Sequence, residues 1–383
     1  MPMATETAPT RADAAQLSRR AWLQQATVLA ATGLGTSPVW AAHPGGTAAP
    51  QVLMAWNRGD QSWAGVWTPG VAGPARGVAL PARAHQLLLL PHSAQRKGPQ
   101  ALVVARRPGE YLLRMDPVRG KALQWHTMED NRYLGGHAVL SADGERLFTT
   151  ETDADTGQGL VVERDLHSLQ PLREFASGGV GPHALLLEPG GTLLVANGGI
   201  LNLPETGRRK LNLGRMAPNL TRLEAQSGAV VAQFRLPDPL LSLRHLAIAP
   251  NGTVAVGLQA EHADPLARQA APAMALLSAQ GFVTVPWLHS APPPGWNGYA
   301  ADVCWGAGQF WASAPQAGCL VGWDAEGQNP TRLALKGAGA LASHGTTTWL
   351  AAGDDSALQM DHTMAPSLHY SLTIPWDNHA TPM

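Results

Sequence analysis

Four segments of this 383-residue chain share one grammar: a histidine, an apolar strand, a tight turn and a second strand. The chain is also rich in turn formers (Gly 41, Pro 31), carries only 14% charged residues and shows almost no helical periodicity. Together these observations predict an all-β fold, a seven-bladed β-propeller closed by N- and C-terminal strands in one composite blade.

The four segments open at Ala84-His85, Gly136-His137, Pro182-His183 and Arg244-His245. Three of them turn at Ala142-Asp143-Gly144, Pro189-Gly190-Gly191 and Pro250-Asn251-Gly252, residues that favour tight turns. Second strands follow over Arg146–Thr150, Thr192–Asn197 and Thr253–Gln259. Two weaker copies exist. Asp302-Val303-Cys304-Trp305 with Gln309–Ser313 puts Asp302 in the histidine's place, and Ser343-His344-Gly345 with Thr346–Ala351 keeps the histidine. From 85 through 137, 183, 245, 302 and 344 to His379 the spacings are 52, 46, 62, 57, 42 and 35 residues. A four-stranded blade takes about 40 to 50 residues.

Six inner strands begin at those markers. Gln51–Asn57, Ser62–Thr68 and Gly77–Leu80 supply three strands before the first of them. The chain ends Ile374-Pro375-Trp376-Asp377-Asn378-His379, where a seventh inner strand would start. Joining the two ends in one blade leaves no free sheet edge. Six or eight blades are the alternative counts.

The first fifty residues carry no propeller pattern. Ser18-Arg19-Arg20-Ala21-Trp22-Leu23 precedes a short apolar run, Ala26 to Gly35, and Val39-Trp40-Ala41 suits cleavage after a small residue. The expectation is a twin-arginine signal peptide over 1–41, a linker over 42–50 and one propeller domain over 51–383, exported to the periplasm. No later segment reaches the 18 or so uninterrupted apolar residues of a membrane span, so no stable membrane anchor is expected. A net charge of −1 gives no basic footprint for nucleic acid. Thirteen Trp suit a well-packed β protein. No Cys-x-x-Cys-His is present, so no covalent haem is expected; Gly-x-Ser-x-Gly and phosphate-loop motifs are missing too.

Several motifs carry a resemblance. They are Gly135-Gly136-His137, Glu151-Thr152-Asp153, Gly179-Val180-Gly181-Pro182-His183, Val195-Ala196-Asn197-Gly198-Gly199-Ile200, Gly207-Arg208-Arg209-Lys210-Leu211-Asn212-Leu213, Leu243-Arg244-His245 and Trp376-Asp377-Asn378-His379. Together they resemble the DUF1513 family, a domain of unknown function. The resemblance implies an exported bacterial β-propeller that accompanies imelysin-like proteins and di-haem oxidoreductases of iron acquisition, hence those partners. It implies no reaction.

The histidines themselves point to a site. The first strand of each blade lines the central channel, so equivalent residues in successive blades form a ring. His85, His137, His183, His245, Asp302, His344 and His379 would encircle one mouth, with Arg244 beside them as a cofactor-binding candidate. Neutral imidazole with a carboxylate suits a transition-metal ion, iron or copper ahead of zinc. The plainer account is that each histidine ties its blade to the next by a backbone hydrogen bond. The functional expectation is a periplasmic propeller that binds a transition-metal ion or metal complex and serves iron acquisition. The alternatives are a lactonase-type metal-dependent hydrolase and a non-catalytic scaffold with a structural histidine ring.

Three further features are set apart. Glu151, Asp153 and Asp155 could take Ca²⁺, though a solvated hairpin accounts for them better because the spacing lacks the calcium-loop pattern. Asn202–Pro218 is too long for a plain connection and reads as a flap, partner loop or strand-capping excursion. Cys304 and Cys319 fall on the first and third strands of one blade, about 9.5 Å apart, beyond the roughly 7 Å reach of a disulfide, so two buried thiols are expected.

Overall fold

Apolar runs bounded by glycine turns become strands throughout the computed structural model, which describes residues 51–68, 76–92, 98–206, 209–287, 291–344, 348–360, 366–372 and 376–383. The leader and linker expected over residues 1–50 lie outside the described residues. The described strands form seven four-stranded antiparallel sheets, the blades of a propeller. No described helix is long and apolar enough to cross a membrane.

The composite blade closes as expected. Its inner strand is the C-terminal β28 (Trp376–Pro382), followed outward by β1 (Val52–Arg58), β2 (Gln61–Trp67) and β3 (Arg76–Leu80). Five blades then follow in chain order: β4 to β7 over Ala84–Thr127, β8 to β11 over Arg132–Ala176, β12 to β15 over Pro182–Phe234, β16 to β19 over Leu241–Thr284 and β20 to β23 over Val303–Ala334. The last is β24 (Leu341–His344), β25 (Thr348–Ala352), β26 (Ser356–Met360) and β27 (Pro366–Ser371).

Burial explains why the strands read as continuous apolar runs rather than alternating ones. The second strands β5 (Gln100–Ala105), β13 (Thr192–Asn197) and β21 (Gln309–Ala314) lie between neighbouring blades and are buried on both faces. Outer strands such as β11 (Pro171–Ala176) and β15 (Val230–Phe234) meet solvent and are mostly exposed. The inner turn recurs in three blades. Gly144, Gly191 and Gly252 each donate N–H to the carbonyl three residues back, at 2.9 Å, with φ of 70°, 81° and 85°. That left-handed conformation is the reason for glycine at these positions.

Buried polar groups hold strands within a blade and reach the next one, as Arg164 Nη1 lies 3.0 Å from His126 Nε2 of the preceding blade. Arg164 on β10 (Gly159–Asp165) and Glu151 on β9 (Arg146–Asp153) are fully buried and joined at 2.8 Å. Burial raises the Glu151 carboxyl while Arg164 opposes that rise. Asp153 accepts from Thr156 N at 2.9 Å and from Arg132 Nη1 at 2.6 Å, and Asp155 is exposed. This is the hairpin arrangement, with Glu151 withdrawn into the core.

Cys304 on β20 (Val303–Gly306) and Cys319 on β22 (Cys319–Trp323) are free and buried, with β21 between them. Burial pushes both thiols up. Asp354-Asp355 lies in the bend between β25 and β26.

Candidate metal centre

Five of the predicted histidines meet at the channel. His85, His137, His183, His245 and His379 are each 8% exposed or less. Neighbouring rings lie 4.5 to 4.9 Å apart between centroids, and even His85 and His245 are separated by only 5.9 Å. One ligand atom from each of His85, His137, His245 and His379 falls within 4.8 Å of the other three. His183 joins through His85, Nε2 to Nε2 at 3.3 Å.

Each histidine stands in an irregularity of its inner strand. On β8 (Arg132–Leu140), Gly135, Gly136 and His137 together oppose Thr150. His183 and Ala184 oppose Ala196, and Arg244 with His245 opposes Gly257. On β4 (Ala84–Leu90), His85 is an extra residue between the pairs of Ala84 and Gln86. Asp377, Asn378 and His379 oppose Ala55. A bulge re-aims the side chain at that point, which here brings the imidazoles inward. Gly136, at φ 109°, makes room: a Cβ there would sit 2.5 Å from the His85 ring.

The remaining predicted residues are placed differently. Asp302 lies immediately before β20 and acts through a histidine. Its Oδ2 is 3.1 Å from His379 Nδ1 and accepts Leu341 N at 2.9 Å, while Oδ1 accepts Val303 N at 2.9 Å. His344 closes β24 rather than opening it, so its backbone lies about three strand residues, roughly 10 Å, beyond the strand's start. Its side chain is outside the described residues. The residue before that inner strand is Ala340, which gives marker spacings of 38 from Asp302 and 39 to His379 in place of 42 and 35. Arg244 is 2% exposed, and none of its three guanidinium nitrogens has a hydrogen-bond partner among the described residues.

The hydrogen bonds assign tautomers. His183 Nδ1 faces the Gly135 carbonyl at 3.1 Å, and His379 Nδ1 faces the Asp302 carboxylate. Both acceptors require N–H on Nδ1, which in a neutral ring leaves a bare lone pair on Nε2. Both lone pairs point at His85 Nε2, at 3.3 Å each. One proton on His85 can satisfy one of them. A shared cation would satisfy all three, and nitrogens bound at 2.0 to 2.1 Å in a tetrahedral site lie about 3.3 to 3.4 Å apart. Three more nitrogens, His85 Nδ1, His137 Nε2 and His245 Nδ1, are buried without a partner. Burial, with neighbouring imidazoles and arginines adding to it, pushes His85, His137, His183 and His245 well below the usual histidine range. At neutral pH these rings are neutral, the form that binds metal.

Above the cluster opens a cavity of about 720 Å³ whose lining includes Arg83, Arg106, Arg107, Lys210, Glu261 and Arg268. The long connection after β13 contributes Asn202 and Lys210, and Lys210 pairs with Glu261. Arg208 lies outside the described residues. A short helix, α1 (Pro265–Ala270), capped by Asp264, brings Arg268. Arg106, Arg107 and Glu261 belong to none of the motifs that stand out in the sequence. Their signal was positional, because residues just after a blade's second strand emerge at the same end as the start of its first.

Solved structures show the fold at low identity. Hydrazine synthase of Kuenenia stuttgartiensis is similar over 80% of this chain and 91% of that one, at 14% identity and a TM-score of 0.57. A protein of unknown function from Bacteroides caccae (12% identity, 75% and 99% covered, TM-score 0.47) and the Pan2 WD40 domain of Neurospora crassa (14%, 81% and 88%, 0.49) align less closely. Among curated proteins none matches. The profile described as "Protein of unknown function (DUF1513)" matches residues 78–383, and the chain belongs to that family.

Proposed function

We infer that this protein is a metal-binding propeller that holds one transition-metal ion among His85, His137, His245 and His379, with His183 as a fifth imidazole at its edge. The observation that carries this reading is the gathering of one ligand atom from each of these four buried histidines within 4.8 Å of the other three. A ring built only to tie blades would spend its nitrogens on backbone groups; His183 does so, whereas His85, His137 and His245 each keep a buried nitrogen without a partner. Asp302 orients His379 through Nδ1, the carboxylate–histidine pairing typical of metal sites. An all-imidazole set favours copper by the intrinsic affinity order, and it also accepts iron and zinc.

Iron is the cargo that the family resemblance favours, with imelysin-like proteins and di-haem oxidoreductases as partners. The Arg19-Arg20 leader supports delivery to the periplasm by the twin-arginine route. A binding role suits the geometry better than hydrolysis: the rings are nearly closed to solvent, and both oxygens of the ring's carboxylate are engaged. Metal analysis of protein purified from the periplasm tests the reading. About one ion per chain is expected, lost in a folded His137→Ala/His183→Ala variant. Full metal occupancy in that variant would contradict the assignment, as would a wild type that never carries metal.

A further inference from the structure

The cavity above the histidines concentrates positive charge on a chain whose net charge is −1. Five basic side chains line it against one carboxylate, Glu261. Two of the five are matched: Arg83 grips Asp377 at 2.6 and 2.8 Å, and Lys210 pairs with Glu261. Arg107 and Arg268 have no comparable acidic partner among the described ion pairs.

A second observation lies beneath the lining. Arg244 is 2% exposed, its three guanidinium nitrogens make no hydrogen bond among the described residues, and its nearest carboxylate, Glu261, is 3.9 Å away. Burying a guanidinium without partners costs stability. Charge kept at such a cost, under a basic cavity, creates a strong local potential for anions.

We propose that this cavity binds a small organic oxyanion, a molecule bearing carboxylate or phosphate groups, held by Arg107 and Arg268 with Arg244 supplying charge from below. Guanidinium forks match both groups in geometry. The volume suits a metabolite-sized molecule and is far larger than a bare inorganic ion needs. Asn202, Asn297 and Tyr299 also line the cavity and offer donors and acceptors for hydroxyl groups. The site stands whether or not the histidines hold metal.

Isothermal titration of the metal-stripped chain with citrate, glucose 6-phosphate, inorganic phosphate and glucose tests it. Saturable binding of citrate or glucose 6-phosphate at one per chain is expected, weakening as salt rises, with no binding of glucose. The tighter of the two identifies carboxylate or phosphate as the preferred group. Arg107→Gln should weaken binding about tenfold or more, the scale of a lost charge-assisted hydrogen bond. Arg268→Gln, on the part-exposed α1, should weaken it about threefold without changing the melting temperature. The proposal is overturned if neither organic anion binds saturably at millimolar concentration, if inorganic phosphate alone binds, or if both arginine variants bind as the wild type does.

Discussion

Five inner strands each supply a histidine to the cluster, whereas β20 has none and β24 has His344 at its far end, and the two groups differ in backbone as well as in sequence. In β4, β8, β12, β16 and β28 the ladder is interrupted at the histidine. In β20 and β24 the register runs without a shift, and the residues before them are Asp302 and Ala340. A regular strand keeps its side chains in strict alternation, whereas a bulge breaks that alternation and can turn one residue to the channel axis. The histidine cluster is therefore a property of bulged strands. The regular blades serve it from outside: Asp302 reaches His379 across the place where the intervening blade carries only the methyl of Ala340.

That contrast can be broken experimentally. The largest effect is expected at Asp302, where a regular blade touches the cluster. Asp302→Asn should lower metal affinity about ten- to hundredfold, the usual consequence of removing a carboxylate behind a ligating histidine. Competition with a chromophoric chelator measures it, and an unchanged affinity would detach Asp302 from the site.

The next effect belongs mainly to the bulged strands. His85, His137, His183 and His245 titrate below the usual histidine value of 6.5 in the folded state. The unfolded chain therefore binds more protons once pH falls towards and below 6.5, and stability falls with it. The metal-free protein should melt at progressively lower temperature from pH 7 down to pH 5, and a variant with all four changed to glutamine should lose most of that slope. An equal slope in the variant would place the acid sensitivity elsewhere.

The smallest effect on metal is expected from adding a histidine where no bulge exists. Ala340→His should leave affinity within about twofold while overpacking a buried position at a cost of about 1–3 kcal/mol. A clear gain in affinity would mean that the bulge is not what aims the rings.

Most of the fold was legible because each blade repeats a local signal. The glycine turns at Gly144, Gly191 and Gly252 follow from a left-handed backbone, and the both-faced burial of the middle strands leaves plain apolar runs such as Leu102-Val103-Val104. Composite closure followed from strand-like sequence at both ends. Two free thiols followed from strand spacing, since β21 separates Cys304 from Cys319; thiol titration of denatured, unreduced protein should count two.

Five histidines were legible by position, but their geometry was not, because a bulge depends on cross-strand register. His344 misled for the same reason. A histidine near the expected interval looks like another marker until the pairing shows that β24 starts at Leu341. The basic cavity was hidden because its side chains come from connections far apart in sequence, among them Arg107, Lys210 and Arg268.

The central claim is that imidazoles alone surround the ion. X-ray absorption at the metal edge, on protein loaded with one equivalent of copper or zinc, tests it most directly. The account predicts a first shell of three to five nitrogens at about 2.0–2.1 Å with the outer-shell scattering of imidazole rings. A sulfur shell near 2.3 Å, or a shell of oxygen alone, would contradict it.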